Sequence, residues 1–219
     1  MRILYLTFSV VLADQITKLL VKGISIPSLG INIEGFMLGS SRPIFGDFFR
    51  LTYIENPGMA FGIDIGGKLF FSIFSVVASA AIAYYLYNAR NESIGFRVAL
   101  ALILGGAIGN LIDRVFYGVI FNEGSLFYGK VVDFLDCDFF NINIFGFHMS
   151  RWPVFNIADA SVTCGVILLL MTHRSAVPNE TALAQQMNVQ AIGDGASADV
   201  VASTVITPES PSSGQSPQL

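Results

Sequence analysis

Four long apolar runs, broken by two long connections and one short one, set the plan of the chain. They cover residues 3–13 resuming at 19–21, residues 69–87, residues 98–112 and residues 155–172. A helix needs about 20 mainly apolar residues to cross a bilayer, so the pattern predicts four transmembrane helices. The second run carries no charge and ends in Tyr84, Tyr85 and Tyr87, an aromatic belt suited to a membrane interface. The first run admits a competing reading as a signal peptide, with Arg2 ahead of it and Val11-Leu12-Ala13 resembling a cleavage site. A retained helix is preferred, because Asp14 and Lys18 are spaced i, i+4 and can pair within the helix.

The connections carry a different pattern. In residues 23–67, Ile31-Asn32-Ile33 alternates and residues 48–55 (FFRLTYIE) are rich in strand formers, which predicts short strands. Asn56-Pro57-Gly58 then reads as a tight turn. In residues 115–154, Val131-Val-Asp-Phe-Leu135 wraps one carboxylate in apolar neighbours. Strand alternation turns Asp133 away from Val132 and Phe134, either to water or to a partner carboxylate. Asp136 and Asp138 nearby are expected to be solvated. Residues 175–219 are Ala-, Ser-, Pro-, Gln- and Gly-rich and read as a disordered polar tail following a membrane domain over residues 1–174.

Composition agrees with this pattern. Of 219 residues, 53% are hydrophobic and only 13% charged, against about 25% charged in a soluble domain. A net charge of −4 without a basic stripe gives no basis for nucleic-acid binding. Cys137 and Cys164 lie in a loop and an apolar run and are not expected to pair, and His148 and His173 are isolated. Neither a zinc motif nor a serine-hydrolase elbow occurs. Four spans put both termini on one side. Lysine and arginine counts do not fix which side that is. The polar ends of three spans (Asp14/Lys18, Asn110/Asp113/Arg114 and Asn156/Asp159) nevertheless fall at one common face.

Asp159 stands one turn inside the fourth run, with Asn156 and Thr163 on its helical face. An ionisable group there costs roughly 2.5–3.5 kcal/mol on insertion and faces the interior or water. It either cements neighbouring helices or performs chemistry. Gly105 and Gly109 form a small-xxx-small pair that lets another helix approach closely. With no other hydrolytic constellation in view, a carboxylate pair is left, in which one member keeps a proton while the other ionises. Asp159 is one member. The residues leave Asp113 and Asp133 open as the other, although Arg114 beside Asp113 offers it a neutralising partner.

Taken together, Asp14-Gln-Ile-Thr-Lys18, Asn56-Pro-Gly-Met-Ala-Phe61, Gly105-Gly-Ala-Ile-Gly-Asn-Leu-Ile-Asp-Arg114, Val131-Val-Asp-Phe134 and Phe155-Asn-Ile-Ala-Asp159 resemble the bacterial lipoprotein signal peptidases (signal peptidase II), in order from about residue 3 to residue 172. The resemblance implies an all-α polytopic membrane protein of four transmembrane helices, with a small extracytoplasmic β-sheet and a short periplasmic helix over the site. It implies an inner-membrane aspartic endopeptidase that cuts prolipoproteins just before a diacylglyceryl-modified cysteine, without metal or cofactor. Prolipoprotein and membrane lipids are its implied partners, and a monomer is expected. Asp133 and Asp159 become the catalytic pair, Asn56, Gly58, Asn110, Arg114 and Asn156 substrate-binding, and Asp14, Lys18 and Asp113 supporting. The active site would face the extracytoplasmic side with both termini cytoplasmic. Two departures stand out: extra residues around 121–129 and between Asp133 and Asn156, and the long tail. A small transporter or proton-relay protein is the alternative from another class.

Overall fold

The computed structural model describes residues 2–58, 67–138, 142–144, 147–149 and 151–174, with backbone only at 142–144, 147–149 and 173–174. The motif residues 59–61 and the tail from 175 lie outside the described residues.

Four helices form the bundle: α1 (Leu4–Lys22), α2 (Gly67–Asn88), α3 (Ile94–Ile112) and α4 (Ile157–Arg174). In α1 and α2 the burial is inverted relative to a soluble protein, whereas α3 buries Leu100, Ala101 and Leu104 in an apolar cluster with Ile3 and Leu86. Along α1, Leu4, Phe8, Leu12, Ile16 and Leu20 recur every fourth position and are exposed, while Thr7, Asp14, Lys18 and Val21 are buried. In α2 the buried residues are Ser72, Ser79 and Leu86, one every seven, and the tyrosines predicted at its end are exposed. Apolar stripes facing outward around a polar interior suit lipid rather than water. Three helical segments, Leu4–Lys22, Gly67–Asn91 and Ile94–Ile120, are long and apolar enough to cross a membrane. The fourth run forms α4, which is apolar as well.

Glycines let these helices close. A Cβ on Gly105 would sit 2.9 Å from Val10 of α1, and one on Gly109 would sit 2.6 Å from the Asp14 carboxylate and 3.1 Å from Ala158 of α4. Gly106 meets the backbone carbonyl of Ala158. Thr7 Oγ1 donates to Ala101 O across 3.0 Å, so α1 is integral to the bundle, as a retained helix requires.

Among the described residues the expected all-α character applies to the bundle alone, since seven short strands accompany it. Strand β1 (Ile24–Ile26) pairs antiparallel with β2 (Ile31–Ile33). A three-stranded antiparallel sheet runs β3 (Ser41–Phe45), β4 (Phe49–Asn56), β5 (Val131–Cys137). A hairpin of β6 (Ile142–Ile144) and β7 (Phe147–Met149) lies within the expected extra residues. Edge strand β3 carries Pro43 and an irregularity beside it, which blunts it against further pairing. Phe155 bridges to Leu135 of β5, and this joins the sheet to the start of α4. Val21, Tyr53, Tyr117, Val132 and Phe134 form the apolar core where the sheet meets the helix ends.

Candidate active site

α1, α3, β4, β5 and the start of α4 converge where the bundle meets the sheet. α3 passes into a π-helical turn, Asp113–Tyr117, a geometry that recurs at functional sites because it re-aims side chains mid-helix. Here it sends its two charged residues to different places. Asp113 is fully buried and accepts from Lys18 Nζ (2.8 Å), Gln15 Nε2 (2.9 Å) and the Val132 backbone N–H (3.2 Å). Arg114 donates to Ser75 Oγ on α2 (3.0 Å). The neutralising partner of Asp113 is therefore Lys18, and the sequence neighbour Arg114 is turned elsewhere.

Lys18 organises this interior. Its ammonium, 0% exposed, lies 2.8 Å from Asp14 and 2.8 Å from Asp113, and donates to Asn110 Oδ1 at 2.9 Å. The i, i+4 pairing of Asp14 and Lys18 is thus present, but as part of a triad with Asp113. Asp14 also accepts the Ala158 N–H at 2.9 Å, tying α1 to the first turn of α4. Gln15 donates to Asp14, Gly109 O and Asp113, and its Oε1 accepts from the Tyr117 hydroxyl at 3.1 Å. Gln15 and Tyr117 were not singled out in the sequence. Gln15 lies inside the quoted motif, whereas nothing local marks Tyr117.

Above this triad two amides bridge two carboxylates. Asn110 accepts Lys18 on Oδ1, so its NH₂ points the other way and donates to Asp159 Oδ1 at 2.7 Å. Asn156 Nδ2 donates to Asp133 Oδ1 at 2.7 Å and to Asn110 Oδ1 at 3.1 Å, while Asn156 Oδ1 accepts the Asp159 N–H at 2.9 Å. Asn56 hydrogen-bonds Asp133 as well. In β4–β5 the register sets Ile54 opposite Asp133 and Asn56 opposite Val131, which puts Asn56 and Asp133 on one face of the sheet. Asp133 is 4% exposed. It is turned inward to the Asn156 and Asn56 amides, within electrostatic reach of Asp159, rather than to water. Asp113 takes no part in this pairing.

Burial pushes the Asp133 carboxyl up to about 7, and the nearby charge of Asp159 adds to it, against the lowering pull of Lys18, Asn156 and Asn56. Asp133 therefore titrates near neutral pH. The Arg114 guanidinium lies within electrostatic reach of Asp159, Asp113 and Asp133. Gly58 has φ +100°, and a Cβ there would meet the Phe71 ring at 2.8 Å. Its N–H donates to Asn56 Oδ1 at 2.9 Å, so this glycine is required by the shape of the turn that presents Asn56.

Two residues of the sequence reading fall away from the site. Thr163 is exposed and bonds back to the Asp159 carbonyl. Asp136, expected to be solvated, is 5% exposed and accepts from Thr52 (2.6 Å) and Arg151 (3.4 Å). Asp138 is half-buried and lies 3.9 Å from Arg151. Strand pairing of Arg50 with Asp136 carries that acid inside the sheet, an effect that local polarity cannot foretell. Cys137 and Cys164 are both free.

Comparison with known proteins follows this geometry. Residues 6–174 match the family model described as signal peptidase (SPase) II. The lipoprotein signal peptidase of Pelodictyon phaeoclathratiforme is 38% identical over 141 residues, covering 64% of this chain and 77% of that protein. That of Chlorobium phaeobacteroides strain BS1 is 35% identical over 164 residues, covering 75% and 90%, and that of Porphyromonas gingivalis 34% identical, covering 75% and 79%. Two solved structures, described as a bacterial membrane enzyme determined by the in meso method at 2.3 and 1.9 Å, superpose with TM-scores of 0.58 and 0.58 at 32% and 29% identity. They cover 81% of this chain and 90% and 94% of theirs. With the polar cluster, the outward apolar stripes and the match in hand, the chain belongs to the signal peptidase II family.

Proposed function

We propose that this protein is an aspartic endopeptidase of the bacterial inner membrane that removes signal peptides from prolipoproteins, cutting just before the diacylglyceryl-modified cysteine. The observation that carries the reading is the chain of amides that runs from Asp159 through Asn110 and Asn156 to Asp133. Asp133, in its protonated form, donates to the scissile carbonyl oxygen and takes a proton back from the gem-diol hydroxyl as the C–N bond breaks, while Asp159 delivers to the leaving nitrogen the proton it has taken from water. Asp159, whose carboxylate accepts the Asn110 amide, takes the proton of the attacking water. Lys18 fixes the orientation of Asn110, and through it the donor presented to Asp159.

In this reading α4 completes a four-span bundle in one membrane domain, residues 1–174, with both termini cytoplasmic and the sheet on the extracytoplasmic side. The protein acts as a monomer. Substrate enters sideways with its acyl chains still in lipid, and its extended backbone lies along the turn from Asn56 through Gly58, near Arg114, Asn110 and Asn156. The chemistry requires no metal or cofactor. Purified protein in lipid, given a diacylglyceryl-modified prolipoprotein peptide, is expected to release the signal peptide at that cysteine. Cleavage of the unlipidated peptide at equal rate, or none of either, contradicts the reading.

A further inference from the structure

A second charged cluster lies outside the carboxylate pair. Glu55 is 7% exposed at its side chain and takes three donors: Lys22, Lys130 Nζ at 2.6 Å and the Tyr53 hydroxyl at 2.7 Å. Lys22, at the end of α1 and 6% exposed, also reaches Glu123 at 2.6 Å and lies 4.5 Å from the centre of the Phe121 ring. Glu123 and Phe121 belong to the extra segment around residues 121–129. Two cations and two anions balance, so the burial of Glu55 is compensated. Burial by itself would raise the Glu55 carboxyl, but hydrogen bonds from Lys130, Lys22 and Tyr53 outweigh it and hold the group down at about 2. It stays charged across the working pH range.

Glu55 also occupies a particular place in the ladder. It stands between Ile54, which is opposite Asp133, and Asn56, which hydrogen-bonds Asp133. A register irregularity lies just before this point, between Leu51 and Ile54, so the ladder alone leaves the end of β4 weakly fixed. Lys130 immediately precedes β5, and Lys22 closes α1. Glu55 thus ties the last residues of β4 to the strand bearing Asp133 and to the helix bearing Lys18.

We propose that Glu55 is a positioning residue for the Asp133–Asp159 chemistry. Its carboxylate, clamped by Lys22 and Lys130, sets the end of β4 so that Asn56 meets Asp133, and Glu123 of the extra segment supplies the charge that balances Lys22. This rests on the carboxylate-pair reading of the preceding section. The alternative, simple charge balance, is separated by a second substitution. Glu55→Gln leaves a surplus cation, and Glu55→Gln/Lys130→Met restores neutrality without restoring the clamp.

The test measures kcat, KM and Tm on lipidated prolipoprotein peptide in lipid. Glu55→Gln is expected to lower kcat about tenfold with KM little changed, since small misplacements at a reacting group are costly in rate. The double variant is expected to regain Tm but not kcat. Wild-type kcat in Glu55→Gln, or recovery of kcat together with Tm in the double variant, overturns the proposal. Asp133→Asn measured alongside keeps the two readings apart. If it is inactive while Glu55→Gln is unimpaired, positioning alone fails; if it turns over at the wild-type rate, the carboxylate pair itself fails.

Discussion

At the level of single side chains, the proposed chemistry depends on which acid holds the proton. Asp133 is pushed up to about 7, while an unfolded aspartate ionises near 4. The folded protein therefore keeps a proton that the unfolded chain has lost between about pH 4 and pH 7. The contribution of this group to stability is complete below that window and declines as pH rises through it. For the proposed activity, a general acid must be protonated, so kcat/KM should fall as pH rises through about 7. A pH–rate profile on the lipidated peptide checks this, and a flat profile from pH 6 to 9 contradicts it. The same shift predicts that Asp133→Asn removes the loss of stability at high pH, so its Tm should fall less than that of the wild type between pH 5 and 8. Lys18 behaves differently. Lys18→Met strands Asp14 and Asp113 in the interior, and an uncompensated buried charge costs about 3–5 kcal/mol. Thermal unfolding in detergent should show a large drop in Tm. A stable Lys18→Met protein would mean that the two acids take up protons without cost to the fold.

At the level of elements, helix–helix contact rests on glycine. Gly106 faces the Ala158 backbone and Val162 of α4, and Gly109 faces Asp14 and Ala158. Gly106→Val should separate α3 from α4 at a cost of about 1–3 kcal/mol from overpacking, seen as a lowered Tm. Because α4 begins beside Asn156 and Asp159, proteolytic activity should fall with it. This scale also shows what the sequence could and could not reveal. Apolar runs and glycine spacing marked the helices because lipid demands long uncharged segments. Residues 48–55 announced β4 through composition. Which of Asp133 and Asp113 shares an amide network with Asp159 did not follow from local pattern, because it depends on a π-helical turn that delivers Asp113 to Lys18 and on a strand register that presents Asp133 to Asn156. Asp136 was misread for the same reason: its partners, Thr52 and Arg151, are distant in sequence. The fourth helix has an apolar pattern like the others, and the Phe155–Leu135 bridge lies just before its start.

At the level of the whole molecule, the lipid-facing stripes and the polar cluster divide the labour. Leu4, Phe8, Leu12, Ile16 and Leu20 of α1, with Val166, Ile167, Leu170 and Met171 of α4, are exposed, and their contact with acyl chains costs nothing there. The cluster that binds the elements together gathers at the sheet end of the bundle. Every partner described for Asp133 and Asp159 lies between Asn56 and Asp159, with Asp14, Gln15 and Lys18 beneath, and the family match ends at residue 174. Removal of residues 175–219 is accordingly expected to leave kcat and KM unchanged, and a loss of turnover in the shortened, membrane-inserted protein would assign the tail a role in catalysis. The most direct test of the central claim is turnover of a diacylglyceryl-modified prolipoprotein peptide by Asp133→Asn and Asp159→Asn in lipid. Each should fold at pH 6 and lose at least about 10²–10⁴ in kcat; processing at the wild-type rate by either variant would contradict the account.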